Sequence, residues 1–202
     1  MNTYPSVVEQ RGAVVFPQFT GERVYMREIR KNRPLPQDLS RWQATVDSML
    51  DGVDTDGPVY LMIDQSMVKA GVTQRRPGLH IDGYWHPDTL CHGGGGRHCS
   101  VSSAWRTGGG RWGASTFKEK EALILASDVS ASRAMKGTFT GQVGEGGDCS
   151  HIDVSTLEEV LLLAGKVYAG NVTMLHESLP VSVDTQRTLV RLSVPGWSPE
   201  LH

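Results

Sequence analysis

Short segments that are apolar or alternate apolar with charged residues, each too brief for a helix and most of them bounded by polar, glycine or proline residues, constrain the fold of this sequence more than any other feature. Arg23 to Ile29, Val59 to Ile63, Ala122 to Ala126, Val160 to Leu163, Val167 to Tyr168, Val172 to Leu175 and Thr188 to Val194 are of this kind, with Ala13 to Phe16 as a further candidate. Runs of this length between turn signals read as strands, which need only about five or six residues, whereas a helix needs about twice that. One segment has a helical period. Leu39, Trp42, Val46, Met49 and Leu50 fall on one face, with Pro36 near the start and Gly52 just past the end. The prediction is a mainly β fold with flanking helices, built as a sandwich or small barrel. No internal repeat of fixed period is visible.

At 202 residues the chain is long enough for one domain with a real core. We read residues 1–202 as that domain, with N-terminal strands and the helix over about 1–56 and the β core over 57–202. Glycine is abundant and unevenly spread. Eight glycines fall between Gly93 and Gly113, with Trp105 and Trp112 among them. Glycine loses the most backbone entropy on ordering, so residues 88–116 are expected to form a long functional loop.

Charge narrows the classes of function. The formal net charge is -2, which excludes binding nucleic acid by bulk charge alone but leaves room for a local basic patch. No apolar stretch reaches the ~18 residues of a membrane span, so no membrane partner is expected. The N-terminus shows no charged region followed by an apolar run. Cys91, Cys99 and Cys149 are odd in number, as reduced thiols of a cytoplasmic protein would be.

The strongest chemical signal is Leu79-His80-Ile81-Asp82-Gly83. On a strand, positions i and i+2 share a face, so His80 and Asp82 can converge on one ion while Ile81 packs the other way. A distant histidine would complete a set of two histidines and one carboxylate, which suits iron(II) and leaves coordination positions open. His176, at the end of the apolar run Val172 to Leu175, is the best candidate. His151-Ile152-Asp153 repeats the triplet, but too few residues separate it from His176 for the intervening strands. Asp153 and Ser155 read instead as helix-start residues, with Ser155-Thr156-Leu157-Glu158 as a capping box before Val160, Leu161 and Ala164.

Past His176, the alternation in Gln186-Arg187-Thr188-Leu189-Val190-Arg191-Leu192-Ser193 puts Arg187, Leu189, Arg191 and Ser193 on one face of a strand. Inward guanidinium groups are costly without an anion, and they grip carboxylates with two parallel bonds. An H-x-D motif, a distal histidine and an arginine roughly ten residues later together resemble the iron(II)- and 2-oxoglutarate-dependent dioxygenase superfamily. The resemblance runs from about Tyr60 to Pro195. It implies a double-stranded β-helix (jelly-roll, cupin-like) core, iron held by His80, Asp82 and His176, and an oxygenase that hydroxylates a C–H bond. It also implies 2-oxoglutarate and dioxygen as reactants, with Arg187 gripping the far carboxylate. Arg191, in an R-x-S element, and Tyr60 would be further co-substrate contacts.

The substrate is less legible. Arg76, Tyr84, Trp85, Trp105, Arg111 and Trp112 surround the motif or lie in the loop, mixing positive charge with aromatic rings. Such a mixture holds single strands and flipped bases, pointing to a methylated nucleic-acid base of DNA or RNA. The other reading is a solvated loop whose tryptophans close over a small molecule. Cys91-His92 and His98-Cys99 could instead hold zinc. A non-catalytic, cupin-like module that binds an anion or a metal is the alternative to an enzyme, and a nucleic-acid binder with a degenerate metal site is a third.

Overall fold

The structure is a computed structural model that describes residues 2–87, 106–107, 110–113 and 117–200, with the backbone alone described at 106, 107, 110 and 111. In chain order the strands begin with β1 Thr3–Ser6, β2 Val8–Ala13, β3 Arg23–Ile29, β4 Val59–Val68, β5 Tyr84–Pro87, β6 Arg106–Thr107 and β7 Gly110–Gly113. They continue with β8 Glu121–Ser127, β9 Ser132–Thr140, β10 Glu158–Leu161, β11 Lys166–Asn171, β12 Leu175–Ser178 and β13 Thr185–Pro195. Among the described residues the one α-helix is α1 Gln43–Met49, entered through a 3-10 segment, Gln37–Trp42.

The strands form a large and a small sheet, each mainly antiparallel, and a two-stranded ribbon. The large sheet runs β2-β11-β8-β13-β4-β3-β6, antiparallel throughout except at β3 and β6. In the small sheet β9 pairs with β1, β10 and β12, and β5 pairs with β7 in the ribbon. The strands of residues 1–56 are thus woven into both sheets rather than standing ahead of them.

Both faces of the large sheet are covered, which explains why β8, Glu-Ala-Leu-Ile-Leu-Ala-Ser, is buried along its whole length. On one face Ile124, Val190, Leu192, Leu61 and Ile63 pack against Leu39, Trp42, Val46 and Met49 of the helical layer. On the other, Leu123, Leu125, Leu189 and Met62 meet Ala134 of the small sheet, together with Met174 and Trp85. The alternation in β13 therefore has its physical cause: Val190, Leu192 and Val194 face the helix, while Leu189 and its arginine neighbours face the space between the sheets.

Several expectations hold at the level of residues and others fail for identifiable reasons. The helix is placed by Pro36 and ends before Gly52, which takes a φ of 66°. The strand expected over Ala13 to Phe16 is displaced to Val8–Ala13, since Pro17 has no N–H to donate to a ladder. The helix expected after Ser155 does not form. Asp153 accepts the Ser155 backbone N–H and closes a turn, and Glu158–Leu161 pairs with β9 instead. Backbone pairing to β9 outweighs local helix propensity there. The run Val172 to Leu175 is mostly a turn, closed by Met174 N–H to Asn171 O, and β12 begins at Leu175. Cys149 is free and buried, Cys91 and Cys99 lie outside the described residues, and no described helix is long and apolar enough to cross a membrane.

Trp42 joins the two layers: its side chain is fully buried and its Nε1 donates to Glu22 Oε2 at 2.9 Å. Trp42→Ala is expected to destabilise the fold by about 3–5 kcal/mol, through lost burial and the remaining cavity. Val15→Ala, at an 82% exposed side chain, should stay within about 0.5 kcal/mol. Urea denaturation of both variants checks the contrast.

Candidate metal centre

The Leu79–Gly83 segment is extended but belongs to no strand. Its geometry is fixed by neighbours on both sides. His80 N–H donates to His176 O at 3.1 Å and His176 N–H to His80 O at 3.0 Å, an antiparallel bridge that ties the segment to β12. Across the segment, Ile81 N–H donates to Gly147 O and Cys149 N–H to Leu79 O, each at 2.9 Å. Gly147 has a φ of 81°, and a Cβ there would lie 2.0 Å from Ile81 O, so only glycine permits this approach. Ile81 packs outward with Leu79, Met135 and Leu175, leaving His80 and Asp82 to face inward as the i and i+2 spacing predicts.

His80, Asp82 and His176 offer ligand atoms that all lie within 4.8 Å of one another. Each imidazole is oriented through its other nitrogen: His80 Nδ1 bonds Gly78 O at 2.7 Å and His176 Nδ1 bonds Met174 O at 3.0 Å. Nδ1 must carry the proton in both bonds, which leaves Nε2 with a free lone pair. Burial, followed by the neighbouring His176, pushes His80 down to about 4, so it is neutral and ready to ligate at ordinary pH. Burial works against the charged form of Asp82, but Arg191 and then His176 outweigh it and hold the carboxyl well below its usual range. Two imidazoles and an anionic carboxylate on one side of a cavity can hold a divalent ion with coordination positions open toward the cavity.

Two arginines stand behind this group. Arg187 is fully buried and donates through Nε to Ser127 Oγ at 3.2 Å, through Nη1 to Ser178 Oγ at 3.2 Å and through Nη2 to Ser132 Oγ at 2.8 Å. All three partners are neutral hydroxyls. Burial lowers its pKa to about 10, against the weaker pull of Asp128 and Asp64. Arg191 places Nη1 3.0 Å from Asp82 Oδ2, at ion-pair distance but without hydrogen-bond alignment, and its guanidinium lies 4.1 Å over the Trp112 ring. Its Nε and Nη2 are buried with no hydrogen-bond partner.

His80, Asp82, His176 and Arg191 line a cavity of about 210 Å³ between the sheets, and Arg187 lies behind two of its wall residues, Ser132 and Ser178. Its walls include Arg76, His80, Asp82, Trp112, His176 and Arg191, and also Tyr25, Arg75, Ser132, Glu177 and Ser178. Three residues expected at the site are elsewhere. Tyr60 packs beside Trp85 at a ring separation of 6.3 Å, and Trp85 is buried against Tyr25 and Trp112. Tyr84 exchanges hydrogen bonds with the Glu119 backbone. None of the three lines the cavity: Tyr60 of β4 and Trp85 of β5 pack in one apolar cluster, and Tyr84 is turned toward Phe117 and Glu119. Trp105, the side chain of Arg111 and the Cys91, His92, His98, Cys99 group lie outside the described residues.

The rival triplet is excluded by position: His151 and Asp153 are exposed, the first bonded to Gln142 O and the second capping Ser155. Sequence reasoning missed the serines around Arg187, which carry no pattern of their own. It also missed Glu121, which accepts the Trp85 N–H at 3.0 Å and which burial raises to about 7. Tyr25 and Arg75 were legible only as a strand aromatic and a neighbour of Arg76. In comparisons with known families, curated proteins and solved structures, nothing matches this chain.

Wild-type protein should bind one cobalt(II) per chain, read from the visible absorption of the loaded ion. His176→Ala and Asp82→Asn should abolish it, and His151→Ala should leave it intact. Gly147→Val should weaken binding by about 10–100-fold without touching a ligand, because it displaces Ile81 between the two.

Proposed function

We propose that this chain is an oxygenase dependent on iron(II) and 2-oxoglutarate that hydroxylates a C–H bond. The observation that carries this reading is the convergence of His80, Asp82 and His176, with both imidazoles turned by backbone carbonyls so that Nε2 is free. The set fits iron(II): two imidazole nitrogens and one anionic oxygen on one side, with the remaining positions open. Facing antiparallel sheets around such a centre support a double-stranded β-helix, the jelly-roll core, as the fold that carries the chemistry.

Arg187 supports 2-oxoglutarate as co-substrate. A buried guanidinium held only by serine hydroxyls has hydrogen-bonding capacity and charge to spare, and a carboxylate is the partner it lacks. Ser132 and Ser178 reach the cavity wall and would share that carboxylate with Arg187, while Leu125 and Leu189 pack the carbon chain. Arg191 keeps Asp82 ionised and aligned, and Trp112 covers Arg191 on the far side. When bound, iron supplies the dioxygen chemistry that couples decarboxylation of 2-oxoglutarate, to succinate and carbon dioxide, with hydroxylation of the substrate.

Succinate release is the test. Protein supplied with iron(II), 2-oxoglutarate and air should release succinate slowly even without its substrate, and Asp82→Ala should abolish the signal. Arg187→Lys keeps the charge but not the planar fork, and is expected to raise the KM for 2-oxoglutarate at least tenfold. No succinate from wild-type protein that has been shown to hold iron would sink this reading.

A further inference from the structure

Charge around the cavity constrains what the site accepts. Among the described residues, Arg75, Arg76, Arg187 and Arg191 lie at or just behind its walls. Opposite them stand Asp82 and, behind Arg75 at 3.5 Å, Asp64. Glu177 also lines the cavity, where Arg133 pairs with it while pairing with Glu159 as well. A divalent ion would add two positive charges and 2-oxoglutarate would remove two, so the arginine excess would persist with both in place. Arg76 is part of that excess: its guanidinium donates to the carbonyl oxygen of Gly146 at 2.8 Å, and Asp148 is the carboxylate within its electrostatic reach, with no ion pair to it among the described residues.

We infer that the substrate is a small oxyanion, a carboxylate or phosphate monoester, whose charged group sits on Arg75 and Arg76 and whose carbon skeleton lies against Tyr25 and Trp112. This rests on the oxygenase reading above. The two arginines are sequence neighbours at the edge of the cavity, Arg76 exposed and Arg75 about one-third exposed. They provide one anion position rather than the row of phosphate contacts that a nucleic-acid strand uses. The cavity, at about 210 Å³, is smaller than the ~300–1,000 Å³ of sites that enclose drug-sized ligands, and it must also admit the co-substrate. Tyr25 and Trp112 are held together by Trp112 Nε1 donating to Tyr25 Oη at 3.0 Å, which makes their rings a fixed apolar wall.

Calorimetry on zinc-loaded protein tests this without turnover. 2-Oxoglutarate is titrated first, into wild type and Arg187→Lys. Inorganic phosphate is then titrated into wild type, Arg76→Gln, Arg76→Lys and the Arg75→Gln/Arg76→Gln double variant. Phosphate should bind wild type saturably, at least tenfold more weakly in Arg76→Gln and the double variant, and close to normally in Arg76→Lys. Phosphate binding that is absent, or unchanged in Arg76→Gln, overturns the inference. So does a single-stranded oligonucleotide that binds far more tightly than phosphate, with affinity falling steeply with salt and lost in the same variants. Failure of 2-oxoglutarate to bind would instead count against the co-substrate reading, and the phosphate series would still decide the oxyanion position.

Discussion

Two backbone hydrogen bonds between His80 and His176 hold the centre together. They join a segment that belongs to no strand to the second residue of a four-residue strand, and so bring two imidazoles far apart in sequence to a ring separation of 4.5 Å. Everything else about the ligand set depends on that register. A slip by one residue would turn His80 or His176 to the opposite face, because side chains alternate. The register is guarded from the other side by Gly147 and Cys149, whose backbone groups grip Leu79 and Ile81. The glycine at 147 is therefore as much a part of the centre as the ligands.

A second constraint is electrostatic. The large sheet sends two buried arginines into the space between the sheets from one strand, β13. Burying a guanidinium without compensation is costly, and the two are compensated differently. Arg191 finds Asp82 and the face of Trp112, whereas Arg187 finds serine hydroxyls only. The first is a structural partner of the ligand carboxylate. Among the described residues the second has no carboxylate in contact, which is the asymmetry on which the proposed co-substrate position rests.

Much of this was legible in the sequence, and the limits have physical causes. His80 and Asp82 could be read from their i, i+2 spacing, and Arg187 and Arg191 from the alternation in β13, because those periods follow from strand geometry alone. His176 was legible as a residue but not in its setting, since the run before it looks like strand and folds as a turn. Glu158–Leu161 carries helix signals from its capping box and, from Val160, a strand-length apolar run; pairing with β9 decides for the strand, and no local reading contains β9. Tyr60, Tyr84 and Trp85 show the opposite failure. Aromatics next to a motif suggest a substrate surface, yet the space beneath the ribbon needs large apolar side chains, and these three fill it.

The ribbon places the cavity wall next to the candidate metal ligands. β5 begins immediately after the turn at Gly83, one residue past Asp82, and its Trp85 N–H is held by the Glu121 carboxylate on β8. Its partner β7 carries Trp112, which stacks on Arg191, and Arg191 in turn faces Asp82. The carboxylate ligand is therefore reached from the ribbon twice, through the backbone at Gly83 and through the stacked guanidinium. A cation–π contact of this kind is worth about 0.5–2 kcal/mol, comparable to the energy that orients a ligand side chain. Trp112, Arg191 and Asp82 thus form one continuous run of contacts from the cavity wall to the candidate ligand set.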